Sequence, residues 1–194
     1  MTTLPQIDIN KVKAELCKRS LFYFVKEFWN VINTNEYVHN WHIEYLCDEV
    51  QKVLTWVLND EVKEYDLIVN IPPGTSKSTI ITRMACAWLW ANDDKKTIIT
   101  NTIDSKNATE FSTSTRDIIQ SEKYQLYFPH VKIRRDVSAK TFYQSANGGR
   151  RYSLTTRGSK TGKHADVIID DDPMDYETAN SPQEAKQCIE GFKA

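Results

Sequence analysis

Long apolar runs are missing from this chain of 194 residues. No stretch reaches the roughly 18 apolar residues of a membrane-spanning helix, so no span is expected. The opening residues, Met1-Thr2-Thr3-Leu4-Pro5, lack the charged-then-apolar layout of a secretory signal. Cysteine is sparse. Cys17, Cys47, Cys86 and Cys188 lie far apart, with no CxxC pair and no Cys/His cluster. That spacing argues against a zinc site, and the four read as reduced thiols of a cytosol. Glycine and proline number six each, and neither an internal repeat nor a low-complexity segment is present. Repeat arrays and disordered linkers are thereby excluded. A chain of this length with 40% hydrophobic residues can bury a real core as one soluble domain.

The net charge is only −1, but it is unevenly spread. Residues 132–163 carry nine Lys/Arg against the single acid Asp136, whereas residues 166–190 carry eight acids against the single base Lys186. A basic stretch directly before an acidic one suits anionic ligands on one side and a metal ion on the other; a solvated face beside a charged helix start fits equally.

Periodicity predicts a helix over 9–31, with Leu16, Phe24 and Phe28 in its apolar set, and a second over 41–58. The character changes at Tyr65. Leu67-Ile68-Val69-Asn70-Ile71 reads as a short strand, followed by a turn and an apolar helix carrying Ile80, Ile81, Met84, Ala85 and Trp88. Residues 97–100 read as a buried strand and 107–120 as a helix. Residues 141–144 and 151–155 read as a strand pair about Asn147-Gly148-Gly149. Val167-Ile168-Ile169 reads as a last buried strand. Buried strands alternating with helices predict an α/β fold with a mainly parallel sheet flanked by helices.

Between the strand at 67–71 and the helix after it lies Pro72-Pro73-Gly74-Thr75-Ser76-Lys77-Ser78-Thr79. Strand, turn and helix in that order are the setting of a phosphate-binding P-loop. There the N–H groups of the turn and helix start face a phosphate, a lysine reaches the β/γ-phosphates and a hydroxyl reaches Mg²⁺. Lys77 and Ser78 take those places, with Pro73, Gly74, Thr75, Ser76 and Thr79 completing the cradle. Ile71 and Ser76 occupy the two positions where the consensus G-x-x-x-x-G-K-[ST] has glycine, and Gly74 lies between them. Ser76 is the sharper departure, because glycine lets the backbone approach phosphate closely. An ordinary strand-turn-helix with an exposed lysine is the competing reading.

Asp166-Val167-Ile168-Ile169-Asp170-Asp171-Asp172-Pro173 is an apolar strand ending in three carboxylates. Adjacent acids repel unless a cation sits among them. A Walker B strand uses this layout, one acid on the Mg²⁺ side and the next acting on the attacking water. A helix N-cap cluster is the plainer reading, and one acid would suffice for it.

The chain resembles the N-terminal ATPase domain of the large terminase subunit of tailed double-stranded DNA phages. The stretches that carry the resemblance occur in order. Asn40-Trp41-His42 resembles the family's adenine-side segment, and residues 71–79 resemble its variant Walker A. Residues 108–119 with Tyr124 and Phe128-Pro129 resemble a stretch between the Walker motifs, and residues 162–173 resemble the run into Walker B. The likeness covers about residues 20–185. It implies a P-loop NTPase of the ASCE type that binds ATP with Mg²⁺ and hydrolyses it to drive duplex DNA into a procapsid. Its partners would be the portal protein and the small terminase subunit, in a homo-oligomeric ring and without a membrane, in the cytoplasm of the infected bacterial host. Residues 1–60 would form a helical region packing on an ATPase core at 61–194.

Anchored on Pro173, the family pattern makes Asp171 the Mg²⁺-side acid and Asp172 the catalytic one; anchored on the strand alone, the pair becomes Asp170 and Asp171. Trp41 and His42 would stand on the adenine side; a surface or core histidine beside Trp41 is the competing reading of His42. An arginine on the γ-phosphate is also implied, with Arg116, Arg134, Arg135, Arg150, Arg151 and Arg157 as candidates. The family's nuclease domain and the coupling motif after Walker B lie outside these 194 residues, so an incomplete sheet is expected. In such motors another strand inserts between the P-loop strand and the Walker B strand, so 67–71 and 167–169 are expected not to pair. A helicase-like P-loop ATPase and a nucleotide-binding assembly module with little turnover are the alternative functions.

Overall fold

The computed structural model describes residues 8–156, 158, 162–174, 178, 180–183 and 185–186. Three helices come first: α1 (Ile9–Arg19), α2 (Leu21–Ile32) and α3 (Trp41–Leu58). The single helix expected over 9–31 is broken at Ser20. That residue is extended (φ −136°, ψ 115°) and its hydroxyl accepts from the Tyr23 N–H, so one serine ends α1 and caps α2. A π-helical turn (Thr79–Met84) runs directly into α4 (Ala85–Asn92). Every residue of α4 from Ala85 to Ala91 is buried, as expected of a helix that is apolar all round. Strand β1 (Ile98–Thr102), helices α5 (Ser105–Gln120) and α6 (Glu122–Tyr127), strands β2 (Ile133–Ser138), β3 (Phe142–Ser145) and β4 (Arg150–Thr155), and finally β5 (Val167–Asp170) follow.

The five strands form one sheet in the order β2-β3-β4-β1-β5. β1 is parallel to both β4 and β5, while β2-β3 and β3-β4 are antiparallel. The sheet is therefore mixed and not mainly parallel. The reason is the tight turn at Asn147-Gly148-Gly149, which returns β4 beside β3, with Gly148 at φ 104°. β1 is buried along its whole length.

Two expected strands differ from expectation. Residues 67–71 belong to no strand, since no neighbour among the described residues offers them a ladder. Leu67, Val69 and Ile71 pack on the core while Ile68 stays 81% exposed. β5 is the sheet's edge and only half-buried: Val167 and Ile169 face the core, and Ile168 is 61% exposed.

One hydrophobic cluster joins α1–α3 to α4, β1, α5 and α6. Phe24, Phe28, Tyr124 and Phe128 stack at its centre, Phe24 and Phe28 with ring centroids 4.5 Å apart. Trp88 ties α4 to α1 by donating its indole N–H to the Cys17 carbonyl at 2.8 Å. Ser153 on β4 donates to the Ala108 carbonyl, seating α5 on the sheet. Among the described residues no helix is long and apolar enough to cross a membrane.

Candidate functional site

The candidate phosphate loop, 72–79, is shaped by local chemistry. The Thr75 hydroxyl donates to the Pro72 carbonyl at 2.7 Å and closes the turn. Gly74 (φ 80°) and Ser76 (φ 66°) both lie in the left-handed region. For Gly74 this costs little. A Cβ placed there would meet nothing within 4 Å, so the turn faces open space. For Ser76 it is a strained conformation that the consensus glycine would relieve. Helix begins at Lys77, and the Ile80 N–H closes its first turn on the Ser76 carbonyl at 2.9 Å. Ser78 sits in this first turn, half-buried.

The sheet delivers the acids to the same place. The Asp171 N–H donates to the Asn101 carbonyl at 2.9 Å and the Ile103 N–H to the Asp172 carbonyl at 3.3 Å, so the end of β1 fixes the backbone beyond β5. Lys77 Nζ lies 3.1 Å from Asp172 Oδ1 and 4.0 Å from Asp171 Oδ1. Asp171 is 5% exposed and Asp172 74%. Asp172 also has a left-handed backbone, φ 47°. Asp170 goes elsewhere: its Oδ1 accepts from Asn101 Nδ2 at 2.8 Å. Of the two registers, the geometry brings the Asp171/Asp172 pair to Lys77 and gives Asp170 to the neighbouring strand.

His42 reaches the loop from the start of α3. Its Nε2 lies 3.3 Å from the Thr75 carbonyl, which accepts. Trp41 stands beside it with its ring perpendicular, 75% exposed. Two of the six arginine candidates have partners outside the site: Arg134 pairs with Asp136 and donates to Gln144, and Arg116 donates to the Ala139 carbonyl, while Arg151 is buried. Arg135 and Arg150 are exposed on β2 and β4, and Arg157 lies outside the described residues.

Two residues that sequence reasoning missed belong to this site, Thr82 and Asn101, and one arginine candidate, Arg151, reaches it from below. Thr82 donates its hydroxyl to Asp171 Oδ2 at 2.7 Å, and both residues are buried. Asn101 holds Asp170 and the Asp171 backbone, and its own Oδ1 is buried without a partner among the described residues. Arg151 donates to the Thr82 carbonyl at 3.2 Å. Spacing held a signal for Thr82, which lies one helical turn past Ser78 on the same face. Position held one for Asn101, near the C-terminal end of a parallel strand.

Among the described residues no group of three or more His, Cys, Asp or Glu is arranged as a metal cage. A hydroxyl and one or two carboxylates, all oxygen donors, fit instead a hard cation such as Mg²⁺ that takes its remaining ligands from phosphate and water. The Ser78 and Asp171 side chains are of that kind, and a Cβ at Gly74 would meet nothing within 4 Å. Neither protein-family models nor curated proteins match the chain.

Proposed function

We propose that this chain is an ATP-hydrolysing P-loop motor domain, and specifically the ATPase of a terminase large subunit that drives double-stranded DNA into a viral procapsid. The observation that carries the reading is the meeting of Lys77 with Asp171 and Asp172 across 95 residues, at the foot of an open turn and a helix N-terminus. A lysine facing two carboxylates leaves one negative charge over, and such a site can exchange partners when a phosphate and a cation arrive together. That 67–71 and β5 do not pair also supports it, because the strand order of such motors places another strand between them.

In the reaction, the N–H groups of 74–79 and Lys77 would hold the β/γ-phosphates. Ser78 and Asp171 would hold the metal, which would supply charge neutralisation at the phosphate oxygens. Asp172, exposed beside Lys77, orients the attacking water and accepts its proton. His42 and Trp41 flank the loop on the side assigned to adenine. The exposed bases Lys132, Arg134, Arg135 and Lys140, on and beside β2, are candidates for contacts to DNA phosphates, insensitive to sequence and weakened by salt.

The test is direct: binding of a fluorescent ATP analogue with and without Mg²⁺, then phosphate release with and without duplex DNA. Absence of nucleotide binding by the folded protein would overturn the reading. Turnover stimulated by duplex without strand separation separates a packaging motor from a helicase-like ATPase. Binding without turnover would favour a nucleotide-dependent assembly module.

A further inference from the structure

Asp171 is held by more than the lysine. Its two oxygens have different neighbours: Oδ1 faces Lys77 Nζ at 4.0 Å, while Oδ2 accepts from Thr82 Oγ1 at 2.7 Å. A threonine in a helix ordinarily turns its hydroxyl back to a carbonyl of the preceding turn. Thr82 instead aims it across to the acid, from within the π-helical turn. Thr82 is 1% exposed, so no water competes for the bond, and a hydroxyl donating to a buried carboxylate is a strong, orienting contact.

Thr82 is itself anchored from beneath. Its carbonyl accepts from Arg151 Nη2 at 3.2 Å and from the Cys86 thiol at 3.2 Å. Arg151 is 1% exposed, and its hydrogen bonds go to neutral oxygens: Thr100 Oγ1, the Tyr152 carbonyl and the Thr82 carbonyl. A buried guanidinium and a buried carboxylate are thus joined through one residue, the guanidinium donating to its main-chain carbonyl and the carboxylate accepting a hydrogen bond from its hydroxyl.

We propose that Thr82 is a positioning residue for Asp171. It occupies Oδ2, locks the carboxylate rotamer and leaves Oδ1 alone to face the phosphate loop and its cation. This inference rests on the proposed Mg²⁺-nucleotide reading. It adds that the hydroxyl of Thr82, and not its bulk, sets the strength of the metal-dependent part of binding.

The experiment measures affinity for a fluorescent ATP analogue in Mg²⁺ and in EDTA, on the full chain, with circular dichroism as the fold control. For Thr82→Val, which removes the donor at nearly constant shape, the Mg²⁺-dependent gain in affinity is expected to fall about tenfold, as for loss of an outer partner of a metal ligand. Affinity in EDTA is expected to stay within about twofold of the parent, since the phosphate cradle is untouched. Thr82→Ser is expected to restore most of the gain. Combined with Asp171→Asn, Thr82→Val is expected to cost nothing further, because both act through one carboxylate. If Thr82→Val does not fold, Thr82→Ala against Thr82→Ser makes the same comparison. A full Mg²⁺ gain in the donor-less variant, equal losses in the Ser and Val variants, or additive losses with Asp171→Asn would each overturn the role of Thr82. A parent protein that binds no nucleotide would instead overturn the reading on which it rests.

Discussion

Lys77 Nζ and Asp172 Oδ1 stand 3.1 Å apart, joining the first turn of one helix to the loop beyond the sheet's edge strand. The pair is asymmetric: Lys77 is 25% exposed and Asp172 74%. An ion pair that open to solvent adds little stability on its own. Removing the lysine is therefore expected to leave the fold intact while deleting the charge on which the phosphate reading depends. Lys77→Ala should lose most affinity for an ATP analogue, with an unchanged circular dichroism spectrum and an unfolding free energy within about 1 kcal/mol of the parent. Unchanged affinity in the folded variant would sink the phosphate-loop assignment.

The three consecutive acids are expected to separate by role. Asp171 is buried and bonded to Thr82, Asp172 is exposed beside Lys77, and Asp170 is bonded to Asn101. Asp171→Asn should weaken Mg²⁺-dependent nucleotide binding, Asp172→Asn should mainly lower turnover, and Asp170→Asn should change neither by more than a few-fold. The measurement is nucleotide affinity in Mg²⁺ and in EDTA beside phosphate release. A metal effect carried by Asp170→Asn would shift the register by one residue.

Ser76 gives a test of strain. Its φ of 66° places an L side chain where glycine is favoured. Ser76→Gly is expected to raise stability by about 0.5–1 kcal/mol, an increase of roughly 1–4 °C in Tm for a domain of this size. Ser76→Ala keeps the Cβ and should gain nothing. Thermal unfolding of the three proteins compares them, and a Tm for the glycine variant below that of the alanine variant would contradict the strained loop.

The described thiols are expected to be silent. Burial pushes the Cys17 thiol up to about 12, with the Glu27 carboxylate adding to it, and pushes Cys47 up to about 12, with Asp48 and Glu44 adding. Burial also raises Cys86, against the opposing charge of Arg151. Raised values keep the protonated form, so at pH 8 only about one Cys17 or Cys47 in ten thousand is the reactive thiolate. Peptide-resolved alkylation at pH 8 should label Cys17, Cys47 and Cys86 only as fast as the protein opens, and readily in guanidinium. Rapid labelling of any of the three in native buffer would contradict this packing.

Legibility in the sequence followed the range of the interaction involved. Helix α3 begins and ends where its apolar spacing does, and the β3-β4 pair forms about the Asn-Gly-Gly turn, because both signals are local. β2 was not legible: Ile-Arg-Arg-Asp-Val-Ser is charged and mostly exposed, and only pairing with β3 makes it a strand. Residues 67–71 show the converse, a β-branched run that stays outside the sheet for want of a neighbour. Lys77 and the acids could be nominated as two motifs, each with its own local setting. The bond from Thr82 to Asp171 spans 89 residues and depends on the exact seating of the π-helical turn over β5, which no spacing rule encodes.

The last expectation concerns the open side of the sheet. β5 pairs with β1 on one edge only, and among the described residues nothing pairs with its other edge. Ile168 on that strand is 61% exposed, and Ile68 in the unpaired segment before the phosphate loop is 81% exposed. An unpaired edge bearing an exposed β-branched apolar side chain is a template for another strand, and proteins suppress such pairing by placing lysine there. The chain is therefore expected to self-associate with rising concentration. Ile168→Lys should raise the monomer fraction, and Ile68→Lys should act in the same direction. Neither exposed side chain contributes to the core, so both variants should keep a Tm within about 1–2 °C of the parent, the range of an ordinary surface substitution. Salt distinguishes the mechanism, because pairing through backbone and apolar groups persists at high ionic strength whereas association through the basic bases of β2 is screened. Sedimentation velocity across a concentration series, at low and high salt, reads all of these together. A parent that remains monomeric throughout, or an Ile168→Lys variant that associates as strongly as the parent, would show that the edge at β5 is not adhesive.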